Sequence, residues 1–224
     1  MELLPIFVCL GLVAVVGLGV WGGVWAYRRE RERARQKTNS LYHWAVARGW
    51  TYQAEDSALI WRFRGEPFGN RNARALHVLS GRHRGRDVLA FEFTFTTGSG
   101  GNSTTYTYLA TPTRAPRPWL QVGLENSSTR LAAMLGFDDL QLESEEFNRI
   151  FFITAGDKKF AYDVLHPRMM RWLLDDERSR RVPFRFEGSH LLCWSLTENH
   201  PGYVIWMADY LMDVADRVPS YVWR

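Results

Sequence analysis

Residues Leu3 to Tyr27 form a run of 25 positions without a charged side chain, and Arg28 follows at once. At 1.5 Å per residue a helix of that length measures roughly 37 Å, against a bilayer hydrocarbon core of about 30 Å. The run predicts a transmembrane helix, and everything after it must fold outside lipid. Trp21, Trp25 and Tyr27 gather at its C-terminal end, where amphipathic rings favour the headgroup level. A cleaved secretory signal would need a positive leader, an apolar centre of about 7 to 15 residues and a small-residue cleavage site. Here only Glu2 precedes the run, the run is longer, and Trp25 stands where small residues are wanted.

Direction follows from the flank. Arg28, Arg29, Arg31, Arg33, Arg35 and Lys37 come directly after the run, opposed by Glu30 and Glu32, and positive flanks stay inside. The expected organisation is a transmembrane helix over 1–27, a basic juxtamembrane linker over 28–39 and a cytoplasmic domain over 40–224. This places the chain in the cell membrane as a single-pass protein with its N-terminus outside. Gly19 and Gly23 form a GxxxG pair through which two such helices could meet as a homodimer. Gly17, Gly19 and Gly22 spell a dinucleotide fingerprint, but that fingerprint needs a preceding strand and a soluble helix, which an apolar span does not supply.

The 187 residues from Thr38 onward belong to a chain that is 46% hydrophobic, 23% charged and 14% aromatic. That composition can bury a core, which excludes disordered, collagenous and low-complexity classes. Cys9 lies in the apolar run and Cys193 stands apart from it, so neither a disulfide framework nor a zinc spacing is present.

Charge is unevenly distributed. Thr38 to Arg117 holds ten Lys/Arg against five Asp/Glu, whereas Pro118 to Arg224 holds twelve against sixteen. A cation close to an anionic leaflet gains on the order of 1 kcal/mol. The residues singled out for membrane-surface contact are therefore Arg28, Arg29, Arg31, Arg33, Arg35 and Lys37, together with Arg82, Arg84 and Arg86. The last three belong to a basic region that also includes Arg62, Arg64, Arg71, Arg74, His77 and His83, with Glu66 opposing them. Its plainer explanation is a set of solvated arginines on a hairpin. Nucleic acid is not an expected partner.

Hydrophobic patterning predicts an α+β domain. A short helix over Ser40–Arg48 stops at Gly49, and short strands follow at Thr51–Ala54 and Leu59–Phe63. Arg74–Ser80 and Asp87–Thr97 alternate as a hairpin, and Thr104–Thr111 continues the sheet after a glycine-rich tip. Pro112, Pro116 and Pro118 are expected to break the chain before a strand at Trp119–Gly123. A helix over Arg130–Leu135 and strands at Leu140–Leu142 and Phe147–Thr154 come next. Asp157 reads as the N-cap of a helix to about Leu165, with Pro167 opening a second helix to about Leu174. Phe184–Phe186 and Leu191–Leu196 read as another hairpin, and Tyr203–Arg217 as a final helix with Asp209, Asp213 and Asp216 opposite an apolar stripe. Strands in hairpins with helices between them suggest an antiparallel sheet or partial barrel covered by helices.

The segment Leu140–Leu174 contains ESEEFN at Glu143–Asn148, then Asp157, Ala161, Leu165, Pro167 and Leu173. This pattern resembles the DUF3137-type family of uncharacterised bacterial membrane-anchored proteins. The resemblance implies a tethered globular domain of unknown function and carries no catalytic residue. Independently of it, Ser144 and Asn148 can satisfy backbone groups, Phe147, Phe151 and Phe152 supply core area, and Asp157 caps.

Residues that carry chemistry are sparse. His43, His77, His83, His166, His190 and His200 are scattered without an HExxH motif, and His166 and His200, each before a proline, suggest caps. Glu143, Glu145 and Glu146 lack a partner at ligand spacing. Gly98–Gly101 lacks the Lys-Ser/Thr pair of a phosphate loop, and no GxSxG elbow is present. Cys193 reads as a buried small hydrophobe. The sequons at Asn102 and Asn126 are expected to be unmodified. No cofactor or metal is expected. The expected function is a non-enzymatic binding or scaffold module for a protein partner or an anionic leaflet; the alternative is an enzyme acting on a lipid or small molecule.

Overall fold

The computed structural model describes residues 3–65, 68, 72–97, 102–124 and 140–223, with the side chains of 3–17, 20, 97 and 102 outside that description. Arg71, Asn126 and the helix expected over Arg130–Leu135 lie outside the described residues. The chain divides into two compact units, Met1–His43 and Trp44–Arg224.

Helix α1 (Leu3–Ala47) occupies the first unit and runs into the second, so the expected linker over 28–39 is helical. The transmembrane expectation is corrected here. Among the described residues no helix is long and apolar enough to cross a membrane. The single-pass, N-terminus-outside placement, the cytoplasmic assignment and a homodimer through that span fall with it. Arg28, Arg29, Arg31, Arg33 and Arg35 are exposed and Lys37 is half-buried. Arg29 lies over the Trp25 ring at 5.0 Å and Arg31 over Tyr27 at 4.9 Å. At about 100° per residue these cations are distributed around the whole helix instead of along one stripe.

The second unit is built on a six-stranded antiparallel sheet: β1 (Thr51–Glu55), β2 (Arg74–His83), β3 (Arg86–Thr97), β4 (Asn102–Leu124), β5 (Phe151–Ala155) and β6 (Phe184–Ser195). Gly49, at φ 69°, ends α1 where expected. Leu59–Phe63 is not a strand: Ser57–Trp61 forms a 3-10 turn, capped by the Asp56 side chain accepting from Ala58 N. The β2–β3 turn is tighter than expected. Arg84 (φ 49°) and Gly85 (φ 80°) supply the two left-handed residues that a two-residue hairpin with the right-handed strand twist requires. Gly81 stays inside β2, where a Cβ would sit 2.2 Å from Cγ of Trp50.

The expected break at the prolines does not occur. β4 is continuous for 23 residues through Pro112, Pro116 and Pro118. Its pairing with β3 ends at Ala110 and its pairing with β5 begins at Leu120. Between those points β6 is its only sheet neighbour, and the register shifts there. Proline lacks an N–H, so it is tolerated where one side of the strand has no ladder to serve. The expected hairpin at Glu187–Gly188 is likewise a bend within β6, at Gly188 (φ 54°), because both halves pair with the same long strand β4. The strand curls far enough for Trp194 N to reach Pro183 O at 3.4 Å.

Leu140–Leu142 is not a strand, and Phe147–Ile150 belongs to α2 (Glu145–Ile150), whose N-cap Ser144 accepts from Phe147 N. The Asn148 side chain bonds both backbone groups of Leu142, so the polar residues of ESEEFN do satisfy backbone, at a helix start. Asp157 caps α3 (Lys158–Val164), and Pro167 opens α4 (Pro167–Asp175) with His166 as cap. α5 (Pro201–Arg217) buries Val204, Met207, Ala208, Leu211 and Ala215 on one side. One buried cluster joins Phe63, Phe68, Phe91, Phe93, Tyr108, Leu192 and Trp194 over the sheet.

Candidate ligand cleft

An open apolar concavity lies where β6 ends and α5 begins. Ser195, Leu196, His200, Gly202, Tyr203, Trp206 and Arg181 line a cleft of about 720 Å³, within the range of about 300–1,000 Å³ that small-molecule sites occupy. Its shape follows from the helix start. Pro201 sits in the first turn, where its missing N–H has no role, and the His200 Nδ1 accepts from Tyr203 N at 3.2 Å. A neutral imidazole accepting at Nδ1 carries its proton at Nε2. Tyr203 and Trp206, one turn apart, stack at 5.2 Å.

Buried polar anchors fix the segment leading into the helix. Thr107 donates to Thr197 O at 2.9 Å, and Glu92, a buried carboxylate, accepts from Asn199 N at 2.6 Å. With Ser195 paired to Thr107 in the sheet before it and Thr197 and Asn199 anchored after it, Leu196 is left 66% exposed. On the opposite wall Arg181 follows a 3-10 turn, Glu177–Arg180, which the buried Ser179 hydroxyl secures by donating to Leu173 O and Asp176 O. Burial pushes the Tyr203 hydroxyl above the ordinary tyrosine range, opposed by the Ser195 hydroxyl and the nearby Arg181 charge.

A second cleft, about 640 Å³, lies among His166, Arg168, Met169, Arg217 and Pro219. Its polar groups are already engaged in joining α4 to the end of α5. His166 accepts from Met169 N and meets Arg217 O at 3.2 Å, while Arg217 stacks on Trp172 at 4.0 Å.

Ionisable groups also lie beneath the surface. Arg185 is fully buried between Trp119 (4.6 Å) and Trp194 (5.1 Å) and pairs with Glu187 at 2.9 Å. Burial lowers the Arg185 pKa and raises that of Glu187, each opposed by the other's charge. Glu187 also accepts from Arg64 N at 2.5 Å, and Arg185 donates to Gln121 at 3.3 Å. Cys193 is fully buried and its thiol is driven far above the ordinary range. Among the described residues no group of three or more His, Cys, Asp or Glu could hold a metal.

The basic hairpin acquires acidic partners from distant sequence. Arg84 bonds Asp213 and Asp216, Arg86 bonds Asp216, and His83 meets Asp209 at 2.7 Å, all on the acidic side of α5. Arg82 lies 3.5 Å from Asp87, and Arg74 pairs with Glu55. Arg178 is half-buried between Asp176 and Asp213. Sequence reasoning missed the cleft, yet a signal exists: Trp206 lies on the side of α5 opposite its apolar stripe.

No family model matches the chain, and no curated protein matches it. Among solved structures it is similar to the mycobacterial trehalose monomycolate transport factor A, with a TM-score of 0.55 and 14% identity over 83% of this chain and 97% of that chain. At that identity the similarity is one of fold alone.

Proposed function

We propose that the chain is a binding module for an amphiphile, taking an apolar chain into the cleft at the start of α5. The observation that carries the reading is a two-thirds-exposed Leu196 beside the stacked Tyr203 and Trp206, held in place by buried anchors. An apolar surface kept open by preorganised polar contacts is characteristic of a ligand site. The neighbour in fold is a trehalose monomycolate transport factor, which supports an amphiphile as the natural class of ligand. The exposed cations Arg28, Arg29, Arg31, Arg33 and Arg35, with Lys37, are proposed to attract the chain to anionic headgroups. Arg82, Arg84 and Arg86 have less charge to offer because acidic side chains already face them.

Calorimetric titration with alkanoates of eight, ten and twelve carbons tests the reading. Each methylene buried contributes about 0.8 kcal/mol, so affinity rises about fourfold per carbon for the wild type. Leu196→Asp abolishes the increase. Heats that do not depend on chain length refute an apolar site.

A further inference from the structure

We infer that the occupant of the α5 cleft is a single-chain amphiphile with an anionic head, and that Arg181 reads that head. The inference rests on the proposed cleft and adds its chemical class.

Charge around α4 and α5 carries the argument. Several arginines there are compensated: Arg178 lies between Asp176 and Asp213, Arg84 bonds Asp213 and Asp216, and Arg86 bonds Asp216. Arg168, Arg180 and Arg181 are exposed with no described carboxylate within ion-pair distance, and of these three Arg181 stands on the wall of the cleft. No carboxylate lines the cleft, and its remaining ionisable side chains are His200 and Tyr203. A guanidinium and the His200 Nε2–H on the lining of an apolar cleft complement a carboxylate or phosphate joined to a hydrocarbon chain. A guanidinium is suited to such heads because its parallel N–H groups match two oxygens at once.

Size limits the hydrocarbon part. A cleft of about 720 Å³ lies in the range of sites for one small ligand, which favours one chain over the two of a bilayer phospholipid. The apolar wall is short, formed by Leu196 and the two stacked rings, and the chain is left partly open to solvent.

The experiment holds the chain constant and changes the head. The full protein is titrated calorimetrically, below micelle formation, with dodecanoate, dodecyl phosphate, dodecyltrimethylammonium and dodecyl maltoside. Circular dichroism confirms that each variant retains the wild-type fold. The wild type is expected to bind both anionic probes at least about tenfold more tightly than the cationic one, a difference of about 1.4 kcal/mol. In Arg181→Gln that preference falls to within about twofold, while Arg181→Lys retains part of it. Equal affinity for anionic and cationic heads in the wild type overturns the head-group inference and leaves the cleft standing. Failure of all four probes to bind refutes the cleft itself. Binding restricted to sedimented anionic vesicles, without response to free dodecanoate, also overturns the single-chain assignment.

Discussion

Replacing Glu187 by leucine should destabilise the second unit far more than replacing the whole buried pair. The Arg185 guanidinium has no exposure and lies 2.9 Å from a carboxylate whose side chain is 11% exposed. At an effective dielectric of about 20, charges at that separation attract by about 6 kcal/mol. Removing each ion from water costs several kcal/mol, so the pair contributes close to nothing net. Arg185 Nε also lacks a hydrogen-bond partner among the described residues, which increases the cost. The Trp119 and Trp194 faces return about 0.5–2 kcal/mol each. Glu187→Leu alone strands the cation between two rings and is expected to lower unfolding free energy by about 3–5 kcal/mol. Arg185→Met with Glu187→Leu is expected to match or exceed the wild type, as in buried pairs replaced by apolar groups of similar volume. Urea denaturation followed by tryptophan fluorescence, at equal m values, measures both. A single-variant cost below about 1 kcal/mol, or a double variant as unstable as the single, would refute the reading of a dry, mutually dependent pair.

Two further outcomes follow from packing and charge. Gly81→Val places a side chain where Trp50 already lies, so a loss of about 1–3 kcal/mol is expected; an unchanged melting temperature would show that Trp50 does not pack there. Burial opposes ionisation of Asp213, but its hydrogen bonds and charge contacts with Arg84 and Arg178 outweigh that and hold its carboxyl below the ordinary range. A depressed folded-state pKa contributes stability that is fully present above the unfolded value, about 3.9, and lost as pH falls through the folded one. Asp213→Asn should therefore lower the melting temperature at pH 7, and its gap from wild type should narrow below about pH 4. A gap independent of pH would remove the ion pairs from the account.

Local signals were readable where chemistry is local. The caps Asp157, His166 and His200 and the stop at Gly49 all act within a few residues of themselves. The errors are tertiary. ESEEFN reads as a strand entry because Phe147 and the following Phe151 and Phe152 suit a sheet, yet Ser144 caps a helix that a five-residue strand then follows. Three prolines read as a break because sequence does not reveal that β4 has a ladder on only one side there. The basic hairpin reads as uncompensated because its acidic partners lie more than 120 residues away on α5. Arg185 was invisible for the same reason: nothing in FRFEG distinguishes a surface arginine from one enclosed by Trp119 and Trp194. The cleft depends on Arg181 and Trp206 converging from separate elements, although an indole opposite the apolar stripe of α5 was available as a clue.

The central claim is that an apolar chain occupies the surface formed by Leu196, Tyr203 and Trp206. Intermolecular NOEs between the methylenes of bound dodecanoate and isotope-labelled protein test it most directly. The account predicts contacts to the Leu196 methyls and the Trp206 ring, lost in Leu196→Asp. Contacts confined to other parts of the chain would contradict it.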